Sequence, residues 1–250
     1  MCIKLGVLLR AHHRHEQLDI ALQELLRYNE LPGLEVKIQV LVDRPHFLVE
    51  GVLKKYRDRL YGLAYCPFPI VSARGYRFME SNNYNLKRLE HCDPDWVYVA
   101  DDDAWFAPPM IDKELPEALT STTVDLWYAK SLFLWDDPRQ YNENRKHYGP
   151  VIWRHQPGAR WPLDRSLQVP MPLHDEAIMT RRVGDLTTPL LDYGSYDEPE
   201  RVRLYNAYLR AGRDPHDAWV SSLVEPPDLR SLDLSEDWID LWSARHEIPE

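Results

Sequence analysis

The chain has 250 residues and a formal net charge of −10 at pH 7, with 44% hydrophobic and 28% charged residues. This length and composition fit one large globular domain, and the sequence has no run of about 18 apolar residues that could span a membrane. The acidic balance disfavours a protein that holds nucleic acid by its phosphates, although it does not exclude a local basic patch.

The first residues and the cysteines bear on the cellular location. The apolar stretch after Met1 is too short for a signal peptide and lacks a small-residue cleavage site. Cys2, Cys66 and Cys92 are odd in number and have no metal-ligand spacing, which indicates a reducing compartment without disulfides or structural zinc. We therefore expect a cytoplasmic protein without stable membrane insertion.

Strand and helix patterns alternate over the first hundred residues. Apolar runs predict strands, and apolar residues at three-to-four spacing predict helices. The predicted strands are Ile3–Leu9, Val36–Val42, Ala64–Val71 and Trp96–Ala100, and the predicted helices are Leu18–Leu26, Val49–Leu60 and Tyr84–His91. This alternation is typical of βαβ units, so we expect an α/β fold with a mostly parallel central sheet flanked by helices.

The pattern is less regular after Pro109. Val124–Leu134 predicts a strand or a strand pair. Residues 136–172 are rich in proline, arginine and aromatic side chains, which indicates an irregular binding loop or lid. Residues 174–182 and 199–211 predict helices. We expect one domain over residues 1–225, with halves at 1–110 and 111–225, and an acidic tail or helix over 226–250.

The most informative segment is the apolar strand Trp96–Ala100, which leads directly into Asp101, Asp102 and Asp103. Three carboxylates within about 10 Å of extended chain repel one another and raise one another's pKa. Bound Mg²⁺ or Mn²⁺ would remove this repulsion, because hard cations prefer carboxylate oxygens. Alternate residues of an extended segment point the same way, so Asp101 and Asp103 could share one cation. The alternative is an acidic turn exposed to solvent.

Other titratable residues follow predicted elements. Asp43 ends the second strand, and the carboxyl ends of parallel strands meet at one edge of a sheet, so Asp43 and Asp101 should face a common crevice. There Asp43 could hydrogen-bond a ribose or base. Further along, a carboxylate of Asp175 or Glu176 could serve as a general base. The alternative for this second group is the acidic first turn of a helix.

In this order the segments resemble glycosyltransferase family 2, whose members have the GT-A fold. The resemblance begins with the strand and helix over Ile3–Leu26 and the strand that ends at Asp43. The resembling segments that follow are Arg74, residues 81–85, Asp101–Asp103, Leu173–Ala177, Leu190–Ser195 and Glu200–Tyr205. Each motif is short, and the ordered set, over residues 3–210, carries the resemblance.

The resemblance implies a metal-dependent, inverting glycosyltransferase on a Rossmann-like GT-A sheet, with an irregular acceptor-side C-terminal portion. Residues 1–110 would form the nucleotide-sugar-binding half and 111–225 the acceptor-side half. The donor, a UDP- or GDP-sugar, would be bound by Asp43, Arg74, Asn83, Asp101 and Asp102. Mn²⁺ or Mg²⁺ would be held by Asp101, Asp103 and Asp192.

On the acceptor side, Asp175 or Glu176 would deprotonate an acceptor hydroxyl for in-line attack at the anomeric carbon. The family more often has this acidic pair as Glu-Asp, so either residue could be the base. Many members have a metal-binding histidine where this chain has Asp192, and a turn residue is its alternative role. The residues that could shape the acceptor pocket are Trp153, His155, Trp161 and His174, with structural packing as the alternative for the first three.

Two other function classes stay open at this point. A nucleotidyltransferase also combines an α/β sheet with carboxylate-bound Mg²⁺, but the segment after the first strand, Leu9–His13, has no glycine for a phosphate loop. A non-catalytic sugar- or nucleotide-binding protein on a degenerate fold would not need a base such as Asp175 or Glu176. The sequence does not identify the acceptor, which could be a glycan, a protein, a small molecule or a nucleic-acid base.

Overall fold

The computed structural model of the chain describes residues 2–12, 14–43, 46–68, 71–72, 75–107, 110–163, 170, 180, 182–194, 196–210 and 213–232. In these ranges the chain forms a ten-stranded mixed sheet with helices packed on it, and a separate two-stranded ribbon. None of the described helices has the length and apolar character needed to cross a bilayer.

The strands and helices alternate over the first third of the chain, as predicted. The strands are β1 (Ile3–Ala11), β2 (Leu34–Val42), β3 (Gly62–Tyr65), β4 (Val71–Ser72), β5 (Gly75–Tyr76), β6 (Trp96–Asp101), β7 (Ala104–Phe106), β8 (Leu126–Trp135), β9 (Asp137–Arg154), β10 (Val183–Asp185), β11 (Leu190–Asp192) and β12 (Leu229–Ser231). The α-helices are α1 (His15–Arg27), α2 (Phe47–Tyr56), α3 (Phe78–Leu89), α4 (Met110–Thr120), α5 (Glu198–Arg210) and α6 (Ala218–Ser221).

The first half of the sheet is parallel, which confirms the predicted α/β class. Its strands lie in the order β3, β2, β1, β6 and all run the same way. Helix α1 covers this sheet with Leu18, Leu22 and Leu25, which are spaced at helical intervals and buried in the same core as the strands. The parallel strands therefore place their carboxyl ends together at one edge.

The register aligns these carboxyl ends residue by residue. Ala11 of β1 lies opposite Val42 of β2, and Arg10 of β1 lies opposite Asp101 of β6. Asp43 continues the alignment, because its backbone N–H donates to the carbonyl of Ala11 at 2.9 Å. Asp43 and Asp101 therefore lie at the same edge of the sheet, as the parallel topology predicts.

The second half of the sheet is mixed. Strand β9 is antiparallel to both β6 and β8, while β10 and β11 run parallel to β8, and β7 is antiparallel to β11. Strand β12, formed by residues that the sequence assigns to the acidic tail, pairs with β9. Most of the predicted helix over residues 174–182 and most of the predicted tail lie outside the described residues.

The prediction of an irregular loop over residues 136–172 is wrong for residues 137–154, which form the 18-residue strand β9. Two prolines, Pro138 and Pro150, hid this strand, since proline cannot donate a ladder hydrogen bond. The structure accommodates this with irregularities in the β8–β9 register, one of which lies beside Pro150. The turn between the two strands places Asp136 in the left-handed region, at φ 57°.

Candidate functional site

His12 connects the ends of β2 and β6 at the carboxyl edge of the parallel strands, the region that we call the crevice. Its backbone N–H donates to Oδ2 of Asp102 at 2.7 Å, and its Nδ1 lies 2.8 Å from Oδ2 of Asp43. Both carboxylates belong to buried residues. One residue after β1 therefore connects the end of β2 to the end of β6. The position of His12 directly after the first parallel strand is the sequence signal for this role.

The three consecutive aspartates have different surroundings. Asp101 has a half-exposed side chain that pairs with the guanidinium of Arg10. Asp102 is 6% exposed and accepts the His12 N–H. Asp103 is partly buried and accepts a hydrogen bond from Nη1 of Arg14. The expected alternation along an extended segment does not occur, because residues 102 and 103 form a turn between β6 and β7, and Asp101 and Asp103 pair with separate cations.

Strand β11 brings Asp192 to Asp103. Asp192 lies opposite Ala104 in the β7–β11 ladder, and the backbone N–H of Tyr193 donates to the carbonyl of Asp103 at 2.8 Å. The backbone N–H of Gly194 donates to Oδ1 of Asp192 at 2.7 Å. Asp103 and Asp192, which are 89 positions apart in the sequence, therefore lie close together in the site.

Gly194 leaves room between these two carboxylates. A Cβ atom at this position would lie 2.8 Å from Oδ1 of Asp192 and 3.1 Å from Oδ2 of Asp103. It would also lie 3.5 Å from Nη1 of Arg14. Two carboxylate oxygens thus face the same small space, which a side chain at position 194 would fill.

Burial disfavours the ionised form of Asp102, Asp103 and Asp192. Burial raises the pKa of Asp192 to about 8, and the negative charge of Asp103 adds to the shift. Burial also raises the pKa of Asp102 to about 8, again with a contribution from Asp103. Burial raises the pKa of Asp103 itself, whereas the charge of Arg14 works in the opposite direction. A cation between Asp103 and Asp192 would favour the charged form of both.

The residues present fit a hard divalent cation bound together with a ligand. Within the described ranges, no three His, Cys, Asp or Glu side chains are grouped so that they could hold a metal ion by themselves. Mg²⁺, however, is usually bound by one or two carboxylates, with phosphate oxygens and water in the other positions. Asp103 and Asp192 offer that pair of carboxylates, and carboxylate oxygens suit Mg²⁺ and Mn²⁺.

Arg14, directly before α1, is the central cation of the site. Besides Asp103, its guanidinium donates to the carbonyl of Gly194 at 2.7 Å and to the carboxylate of Glu200 on α5. Burial alone would lower the pKa of Arg14, but the charges of Asp103 and Glu200 together raise it. Arg14 therefore stays charged and ties together α1, the aspartate segment, the turn after β11 and α5.

Several predicted site residues are not brought to this crevice. The Asn83 side chain both donates to and accepts from the backbone of Trp161, at 2.8 Å each, so it anchors that segment. Trp153 and Trp161 are buried and pack edge to face, with ring centroids 5.5 Å apart. His155 lies beside the amino end of β6, at the opposite end of the strand from Asp101, because its N–H donates to the carbonyl of Asp95. These positions favour packing over acceptor binding.

Four further predicted residues cannot be placed in the site. Arg74, His174, Asp175 and Glu176 lie outside the described residues. Their predicted roles in donor binding, acceptor binding and proton transfer stay predictions from the sequence.

We predict that Asp102→Ala lowers the free energy of unfolding by about 1–3 kcal/mol, because the buried N–H of His12 loses its acceptor. Asp102→Asn retains an acceptor oxygen in the same place and should remain much closer to the wild-type protein. Urea unfolding monitored by tryptophan fluorescence measures both variants. Equal stability of the wild-type and alanine proteins would contradict a structural role for this carboxylate.

We predict that Gly194→Ala weakens Mn²⁺ binding about tenfold or more. The added methyl group would push apart the carboxylates of Asp103 and Asp192, which would hold the cation. Titration of free Mn²⁺ by electron paramagnetic resonance measures the affinity. Gly51→Ala is the matched control, since nothing lies within 4 Å of a Cβ atom at that position on α2. Unchanged Mn²⁺ affinity in Gly194→Ala would show that the cation does not bind between Asp103 and Asp192.

No protein-family model matches the sequence, and no curated protein matches it either. Solved structures do match. TarS from S. aureus is similar over 89% of this chain, with a TM-score of 0.51 and 12% sequence identity, and this chain spans 42% of the TarS chain. The mannosyltransferase PcManGT from Pyrobaculum calidifontis, solved with GDP-Man and Mn²⁺, is similar over 89% of this chain and 70% of its own, with a TM-score of 0.50 and 14% identity. The chain therefore has the GT-A glycosyltransferase fold.

Proposed function

We propose that this protein is a metal-dependent, inverting glycosyltransferase that moves a sugar from a nucleotide-sugar donor to a hydroxyl acceptor. The observation that carries the proposal is the convergence of Asp103 and Asp192 at the carboxyl edge of a GT-A sheet, around the space beside Gly194. The similarity in fold to a mannosyltransferase that binds GDP-Man and Mn²⁺ supports the same ligand class here.

The donor side of the proposal uses the crevice around His12. Asp43 would hydrogen-bond the nucleoside, and its contact with His12 holds the carboxylate in place for this role. Asp101, Asp102 and Arg74 would also contact the donor, as the sequence predicts. Asp103 and Asp192 would hold Mn²⁺ or Mg²⁺, whereas Asp101, the third ligand expected from the sequence, pairs with Arg10 instead. When bound, the cation would neutralise charge on the departing nucleoside diphosphate.

The reaction would be a single displacement at the anomeric carbon. The acceptor oxygen forms a bond to this carbon while the bond to the phosphate oxygen breaks, and the bonding pair leaves with the nucleoside diphosphate. The hydroxyl proton passes to a carboxylate, Asp175 or Glu176. Attack on the face opposite the leaving group inverts the configuration.

The remaining predictions follow the same scheme. Residues 1–110 would bind the nucleotide sugar, and residues 111–225 would complete the acceptor side. Asp192, from the second half, would contribute one ligand to the metal. The cytoplasmic location, which rests on cysteine usage, also stays a proposal. The acceptor is left open.

Donor binding tests the proposal. We predict that a UDP- or GDP-sugar with Mn²⁺ raises the melting temperature of the wild-type protein, because a ligand that binds the native state stabilises it by mass action. Asp103→Asn and Asp192→Asn should lose this shift and the release of nucleoside diphosphate, while retaining the fold. Asp58→Asn, an exposed site away from the crevice, is the control. No shift with any nucleotide sugar would contradict the proposal.

The general base is tested by turnover. We predict that either Asp175→Asn or Glu176→Gln slows transfer about 100-fold or more, because the acceptor hydroxyl would lose the group that takes its proton. The donor-induced change in melting temperature should persist in both variants, since neither carboxylate is assigned to the donor. If both variants retain most of the transfer rate, proton transfer does not use this pair.

A further inference from the structure

The metal position and the Arg14 position compete for one oxygen atom. Oδ2 of Asp103 is the atom that accepts the hydrogen bond from Nη1 of Arg14. The same Oδ2 faces the space beside Gly194, across from Oδ1 of Asp192. A cation that binds in this space would share Oδ2 of Asp103 with the guanidinium, and the two positive charges would repel each other at this short distance.

Arg14 would stay in the site even after it released Asp103. Nη2 donates to the carbonyl of Gly194 at 2.7 Å and also to the Glu200 carboxylate. Glu200 is itself fixed, since Nε of Arg203 donates to its Oε2 at 2.5 Å. The side chain of Arg14 is only 11% exposed, so little water is present to replace a lost partner. The guanidinium thus keeps two partners, the Gly194 carbonyl and Glu200, when its third partner, Asp103, is exchanged.

We propose that Arg14 is the internal counter-cation of this site: without metal it occupies the Asp103 carboxylate and so weakens divalent-cation binding, and a nucleoside diphosphate relieves this competition. The inference rests on the proposed function. Phosphate oxygens offer the guanidinium a charge-assisted acceptor in place of Asp103. They also offer the cation the ligands that two carboxylates leave unfilled. Cation and donor would therefore bind cooperatively, and the enzyme would hold little metal without substrate.

The test measures Mn²⁺ affinity by electron paramagnetic resonance, with and without UDP or GDP. In the wild-type protein we expect the nucleotide to tighten Mn²⁺ binding about tenfold or more, within the usual range of coupling between two sites. In Arg14→Gln we expect Mn²⁺ alone to bind about tenfold tighter than in the wild type, since a charge-assisted hydrogen bond no longer opposes it. The coupling to the nucleotide should shrink in the same variant.

Two further variants separate competition from a general effect of charge. Arg203→Gln removes an exposed cation from Glu200 without touching Asp103, and should change Mn²⁺ affinity less than about threefold. Arg14→Lys keeps the charge but lacks the planar fork that spans two carboxylates, so it should also bind Mn²⁺ tighter than the wild type. This variant carries the test if Arg14→Gln does not fold, as judged by circular dichroism.

The inference is overturned if Mn²⁺ alone binds equally well to the wild type and the folded Arg14 variants, or if Arg203→Gln tightens binding as much as they do. Either result would leave the proposed function intact. A wild-type protein that binds no Mn²⁺ even with UDP or GDP would instead overturn the metal-dependent function together with this inference.

Discussion

The structure depends on how it compensates the negative charge at the carboxyl edge of its sheet. Asp101, Asp102 and Asp103 follow a buried strand, and Asp192 joins them from β11. Each has a separate partner: Arg10, the His12 backbone, Arg14 and the Gly194 backbone. These partners come from the end of β1, the segment that follows it and the turn after β11. The same contacts that neutralise the carboxylates therefore fix the relative positions of the strands that carry them.

This compensation explains why the fold and the site cannot be separated. Arg14 precedes α1, whose apolar face covers the parallel strands, and its guanidinium reaches α5 through Glu200. A helix of the first half and a helix of the second half are thus joined through the candidate metal site. Buried ion pairs add little net stability compared with apolar packing, but they specify geometry, because any other arrangement leaves a charge without a partner. The network therefore defines the crevice more than it stabilises the domain.

The sequence predicted the parts of this arrangement that follow from local pattern. Apolar runs ending in Asp43 and Asp101 identified the parallel strands, and parallel topology alone placed both residues at one edge. Strand β9 was missed because it contains prolines and charged residues, although it is paired with strands on both sides. Hydrophobic periodicity in a sequence indicates which residues are buried, and it does not indicate which strands are paired. Trp153 and Trp161 were ambiguous for a related reason, since an aromatic residue in a polar segment is compatible with either a core or a pocket.

The site was predictable only in its acidic half. The aspartates stand out because they are consecutive, whereas Arg10 and Arg14 lie in an ordinary polar segment some 90 residues earlier, and nothing local connects the two. A nucleotide sugar, the donor in the proposed function, is an anion that an acidic protein repels at long range, so its site would need positive charge that is local and fixed. Arg10 near the end of β1 and Arg14 after it place positive charge at the edge where the carboxylates also meet. In the proposed function, a divalent cation would add to the positive charge of Arg10 and Arg14, which pair with Asp101, Asp103 and Glu200.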